Sequence, residues 1–250
     1  MKKISIYPFL TALSLVFAAV CSAQTTITSL PYTISSSGMY LLASDLQFPL
    51  GSGNAITVNA SNVTIDFGGH SLSTPTHKTT SPTSYGIYAD NQSAITVTNG
   101  EINGFVFGIY FSYTSGAVVN GGHLVEKMRL VNCGYGIHQG VGQGSVFQFN
   151  QIRVTSGEGF AGISLDSSVG DRISDNVISS YYNGQVHLSI GIQSTGSNST
   201  VGNYFFNNLI SNCSNGILMP AGGNDKYRFN VTSNCANPYF GGTALTSENN

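Results

Sequence analysis

The densest run of reactive side chains is His123-Leu124-Val125-Glu126-Lys127-Met128-Arg129, with His138 about one strand further on. Glu126 is the candidate general base, and Lys127 or Arg129 the candidate clamp for a substrate carboxylate. His138 completes the set, so Glu126, Lys127, Arg129 and His138 are the catalytic candidates. A base beside a sugar C5 with a cation on the uronate is the equipment of a lyase or epimerase. The structural alternative is a solvated strand edge whose charges block edge pairing. Glycoside hydrolysis needs two carboxyls roughly 5–9.5 Å apart. Asp90 and Asp166 fall on one outward stripe but three coil turns apart, roughly 14 Å at the parallel strand spacing. Asp66 and His70 sit in an early turn, where aspartate commonly accepts backbone donors.

These residues are positioned by a repeat. Gly-Ile recurs at Gly86-Ile87, Gly108-Ile109, Gly136-Ile137, Gly162-Ile163, Gly191-Ile192 and Gly216-Ile217, at steps of 22, 28, 26, 29 and 25 residues. Periods in that range mark a solenoid, each repeat one turn stacked on the last. Apolar residues alternate at period two, broken by Gly and Asn, with no helical period. The expected fold is all-β: a right-handed single-stranded parallel β-helix of about seven turns. Ile pointing inward puts the following residue outward. The outward stripe then reads Tyr88, Tyr110, His138, Ser164, Gln193, Leu218, and two residues on Asp90, Ser112, Gly140, Asp166, Thr195, Pro220. Tyr88, Tyr110 and His138, with Asp166 nearby, are the candidate substrate-binding residues, a column of rings against which sugars pack. Ordinary cross-strand stacking is the other reading.

A second strand in each repeat carries an Asn. Asn150, Asn176, Asn208 and Asn230 are expected to form a structural ladder, bonding up the stack from corners that tolerate left-handed backbone. Cys213 and Cys235 each lie five residues past one of these Asn, so they meet on neighbouring turns. A Cys213–Cys235 disulfide and two free stacked thiols both fit that spacing. Cys133 lies about three turns away, too far to bridge.

Composition bounds the partners. Charged residues make up 8% of the chain and the net charge is −2. Nucleic acid needs concentrated Lys and Arg, and so does an anionic membrane surface. Hydroxyl and amide surfaces suit carbohydrate. Met1-Lys2-Lys3, an apolar run from Ile4 to Val20 and the small residues Ser22-Ala23 read as a bacterial secretory signal cleaved near Ala23. The organisation expected is a signal at 1–23, an N-terminal cap at 24–50, the β-helix at 51–241 and a tail at 242–250. The mature chain would be secreted or periplasmic, with no membrane span. No CxxC or HxxxH spacing marks a metal site. No cofactor is expected, and no motif supports calcium.

The stretches Tyr32-Thr33-Ile34-Ser35, Gly38-Met39-Tyr40-Leu41-Leu42 and Asn62-Val63-Thr64-Ile65-Asp66-Phe67-Gly68-Gly69-His70-Ser71-Leu72 resemble the first turns of right-handed parallel β-helix proteins. Those belong to the pectin-lyase-like superfamily, which includes NosD-like repeat proteins. The resemblance implies the fold across nearly all of the mature chain. It spans lyases, hydrolases, epimerases, adhesive coats and non-catalytic accessory proteins. The Asp-Asp pair of polygalacturonases, the Asp-Pro-His-Glu of alginate epimerases and the Arg-x-Pro-x-x-Arg of pectate lyases are missing. Met and His are too sparse to favour copper handling by analogy with NosD. The expected function is therefore binding of extracellular polysaccharide or cell-surface glycan. The alternative is a polysaccharide lyase, glycoside hydrolase or epimerase on a uronate-containing polymer.

Overall fold

The computed structural model describes residues 24–75, 83–114, 120–155, 159–180, 188–196, 202–221 and 223–245. The signal read at 1–23 lies outside them. All the described secondary structure is β, in parallel strands stacked as a β-solenoid of about seven turns. Two sheets run the length of the coil, one of nine strands and one of sixteen. The segment 24–50 already belongs to the coil: Tyr32–Ile34 pairs with Gly53–Val58 in the nine-stranded sheet, and Gly38–Leu42 pairs with Val63–Asp66 in the other. At the far end, Thr243–Ala244 pairs with Lys226–Arg228.

The Gly-Ile repeat is the spine of the nine-stranded sheet. Ile87, Ile109, Ile137, Ile163, Ile192 and Ile217 are partners in register, each one strand from the next. All six are fully buried. Each such side chain contributes about 1.5–3 kcal/mol on burial. The glycines are required by space, not by backbone angle. A Cβ on Gly86, Gly108, Gly136, Gly162 or Gly191 would stand 2.5–2.6 Å from the carbonyl oxygen of the glycine on the next turn. Across the lumen, Ile102, Ile152, Ile178 and Ile210 push their Cγ2 methyls against Gly86, Gly136, Gly162 and Gly191. The repeat is thus a steric lock between the two sheets.

Polar ladders hold the corners. Asn150 donates its backbone N–H and its Nδ2 to Oδ1 of Asn176, at 3.0 Å each. Asn176 does the same to Asn208, and Asn208 to Asn230. Each Nδ2 also donates to the carbonyl of the strand before it, as Asn176 does to Phe147 at 2.9 Å. The residue just before each ladder position is left-handed whatever its type: Asn99, Lys127, Phe149, Asp175, Asn207 and Phe229 have φ between 52° and 64°. A second ladder lies five residues before the Asn positions. The N–H of His123 donates to Ser145 Oγ, Ser145 N–H to Asp171 Oδ1, Asp171 N–H to Asn203 Oδ1, and Asn203 N–H to Asp225 Oδ1.

Candidate functional site

The structure separates the four catalytic candidates. Glu126, Lys127 and Arg129 lie on the strand Leu124–Val131 of the sixteen-stranded sheet, and His138 lies on Tyr135–Gln139 of the nine-stranded sheet. Arg129 pairs with Glu101 at 2.8 Å, and Lys127 with Glu126 at 3.9 Å. Gln148 Nε2 donates to Glu126 at 3.0 Å. Lys127 occupies the left-handed corner described above. Lys127 and Arg129 do line a shallow polar groove with Asp45, Asn99 and Glu101, but its charges are balanced within the protein. His123 is interior. Its Nδ1 accepts from the Ile95 N–H, and its Nε2 faces Asn120 Oδ1 at 2.9 Å, which fixes a neutral ring with the proton on Nε2. The ring stacks on Phe111 at 3.9 Å, and burial holds its pKa down at about 3.

Asp90 and Asp166 stand on one stripe. Asp90 pairs in register with Ser112, and Asp166 with Thr195. Asp90 accepts from Thr114 and Asp166 from Thr195, through side-chain bonds of 2.8–2.9 Å. Cys213 and Cys235 stand side by side on neighbouring turns as free thiols.

The outer face of the nine-stranded sheet carries two columns of aromatic rings. Tyr88, Tyr110 and His138 are register partners. A second column stands beside them: Tyr85, Phe107 and Tyr135, closed by Phe160. Alternation alone turns Tyr85 inward. Gly86 and Ile87 both face the core, however, so the phase slips by one and Tyr85 comes out. The signal was in the sequence as aromatic-Gly-Ile-aromatic: Tyr85-Gly-Ile-Tyr88, Phe107-Gly-Ile-Tyr110, Tyr135-Gly-Ile-His138. The second column is stacked face to face, with centroids 4.8–5.3 Å apart and planes within 4–17°. Tyr110 is parallel to it, whereas Tyr88 and His138 are turned by 61–80° against their neighbours. The parallel rings cover one another's faces and present edges to solvent. The hydroxyls of Tyr85, Tyr88, Tyr110 and Tyr135 have no protein partner among the described residues. Burial raises the pKa of Tyr85 and Tyr135, and lowers that of His138 to about 4 against an opposing pull from Asp166. His138 Nδ1 is buried and without a partner.

Stacked parallel coils with an aromatic outer strip define a parallel β-helix repeat protein. The chain belongs to the NosD family, whose model, described as periplasmic copper-binding protein (NosD), matches residues 32–235. Among solved structures, the chain is similar to the crystal structure of Dettilon tailspike protein, at 19% identity and a TM-score of 0.49. The match covers 78% of this chain and 39% of that one, so this chain spans about two fifths of the tailspike's length. No curated protein matches the sequence. Among the described residues, no three His, Cys, Asp or Glu side chains converge as a metal site. His123 has both ring nitrogens engaged, and burial keeps the Cys213 thiol protonated. The described donors therefore do not fit a copper centre. No helix among the described residues is long and apolar enough to cross a membrane.

Proposed function

We propose that this is an exported β-helix that binds extracellular polysaccharide with the aromatic strip of its nine-stranded sheet, and that it works by binding and not by catalysis. The observation that carries the reading is the row of four phenol hydroxyls, from Tyr85, Tyr88, Tyr110 and Tyr135, spread over three successive strands without protein partners among the described residues. A phenol both donates and accepts, as sugar hydroxyls do. Its apolar edge desolvates the sugar's C–H surface. The separation of Glu126 from His138, and the internal pairing of Glu126, Lys127 and Arg129, favour binding over acid–base chemistry. Membership of a family described as periplasmic supports export.

The test is a panel of soluble glycans against the purified protein and its Tyr88→Ala/Tyr110→Ala variant. A glycan that binds the parent and loses about tenfold or more in affinity in the variant supports the strip, since one lost polar or ring contact is worth about that. Binding untouched by the double substitution overturns it. Incubation with uronate polymers, read by absorbance of unsaturated products, would overturn the non-catalytic part if product appears and persists in a binding-deficient variant.

A further inference from the structure

The Asn ladder works as a ruler that shows a second site. Counting back four residues from Asn176, Asn208 and Asn230 gives Arg172, Tyr204 and Lys226. These three are register partners on consecutive strands at the outer face of the sixteen-stranded sheet. A cation thus stands one strand, roughly 4.8 Å, to either side of Tyr204. One column over, Phe206 pairs with Arg228. These five side chains, with Phe205 and Leu245, line an open groove of about 330 Å³.

Three features characterise this groove. The first is charge. Six of the described residues are Lys or Arg, and three of them are here, on a chain of net charge −2. Lys127 and Arg129 are paired with glutamates, whereas Arg172 and Lys226 have no carboxylate in ion-pair reach among the described residues. The second is the free ring. Tyr204 is 52% exposed and has no aromatic neighbour among the described residues. The rings of the nine-stranded sheet cover one another instead. The third is apolar exposure: Phe206 is 37% exposed beside it. An exposed aromatic ring between two cations that no described carboxylate pairs matches a ligand with an apolar face and an anionic substituent.

We propose that this groove binds an acidic sugar of a polysaccharide, its ring on Tyr204 and its carboxylate or sulfate between Arg172 and Lys226. The site lies on a different sheet from the tyrosine strip. It rests on the polysaccharide reading only for the choice of a sugar as ligand.

The experiment immobilises polygalacturonate, dextran sulfate and neutral dextran, and measures binding of the full chain at low and high salt. Expected is binding to at least one acidic polymer that exceeds binding to neutral dextran and weakens with salt. Preference for polygalacturonate assigns the anion as carboxylate, and preference for dextran sulfate assigns it as sulfate. Arg172→Gln/Lys226→Gln and, separately, Tyr204→Ala should each lower that affinity about tenfold or more, and Tyr204→Phe should keep it. All three lie on the surface, and an unchanged melting temperature confirms that the fold is intact. Equal binding of acidic and neutral polymers, or acidic binding untouched in the Arg172/Lys226 variant, overturns the proposal. So does tighter binding to phosphatidylglycerol vesicles than to either polymer. Loss of acidic binding in Tyr88→Ala/Tyr110→Ala but not in Arg172→Gln/Lys226→Gln overturns this site while supporting the tyrosine strip. The reverse pattern supports this site.

Discussion

Gly136 lies directly against Gly162 of the next turn: a Cβ on Gly136 would stand 2.5 Å from the Gly162 carbonyl oxygen and 3.0 Å from the Ile152 Cγ2 methyl. Neither neighbour can yield easily. The carbonyl belongs to the sheet ladder, and Ile152 is fixed in the core at 1% exposure. Gly136→Ala should therefore destabilise by about 2–4 kcal/mol through overpacking, seen as a lower midpoint in urea unfolding. Gly144→Ala meets no atom within 4 Å. It should cost less, through its backbone strain at φ 65° alone. Equal losses for both would mean that the glycine row is not the steric lock described.

Asn176 sits at the middle of the buried ladder. Its Oδ1 accepts two bonds from Asn150, its own N–H donates to Asn208, and its Nδ2 serves the Phe147 carbonyl. Asn176→Ala removes the side-chain partner of the Asn150 N–H and of the Phe147 carbonyl, and one of the two acceptors of Asn150 Nδ2. Each orphaned group costs about 1–3 kcal/mol, so a loss of at least about 2 kcal/mol is expected. Asn230, half-buried at the end of the ladder, should cost less on the same substitution. Chemical denaturation of the two variants side by side decides it.

The rules that made the fold legible are local and repeat, and the ones that hid the sites are not. Gly-Ile is visible because steric closeness admits only Gly and the lumen selects Ile on every turn. The Asn row is visible because one residue type recurs at one corner. The catalytic candidates Glu126 and His138 are close in sequence but fall on different sheets, since a corner lies between them. Tyr85, Phe107 and Tyr135 were hidden by the double inward step at Gly-Ile, which breaks period two. Arg172, Tyr204 and Lys226 are 32 and 22 residues apart, because the loops vary in length. They align only when counted from the Asn ladder, which was itself a reading until the register was known. The ladder of Ser145, Asp171, Asn203 and Asp225 mixes residue types, so no single letter repeats to announce it.

Cys213 and Cys133 are buried and Cys235 is partly exposed. Burial, and next its neighbour Cys235, raises the pKa of Cys213, and burial pushes Cys133 up to about 12. A buried protonated thiol is a poor nucleophile. Alkylation of the native protein at neutral pH should therefore label Cys235 alone among these three, and slowly. Unfolding in denaturant without reductant should release Cys133, Cys213 and Cys235 together, as counted by mass spectrometry. Recovery of a Cys213–Cys235 disulfide instead would show that the two turns are covalently stapled.

Acid should weaken the fold through its buried imidazoles. His123 has a folded pKa of about 3 and His138 of about 4, both below the ordinary 6.5, because burial disfavours the charged ring. Between pH 6.5 and those values the unfolded chain takes up protons that the folded chain refuses. The stability these two rings confer is complete above 6.5 and is lost as pH falls, at about 1.4 kcal/mol per unit for each. Asp171 acts in the reverse sense. Burial raises its folded pKa from 3.8 to about 6, so the folded chain holds the extra proton and stability falls as pH rises from 3.8 to 6. From pH 7 to 4.5 the histidines lose about 5 kcal/mol and Asp171 returns about 2, a net loss of about 3 kcal/mol from these groups. The melting temperature should therefore be lower at pH 4.5 than at pH 7. Asp171→Asn should make that acid-side slope steeper, even where its altered hydrogen bonds to Gln139 and Ser168 lower stability at every pH. A slope unchanged by Asp171→Asn would mean that Asp171 is ionised throughout this range in the folded chain.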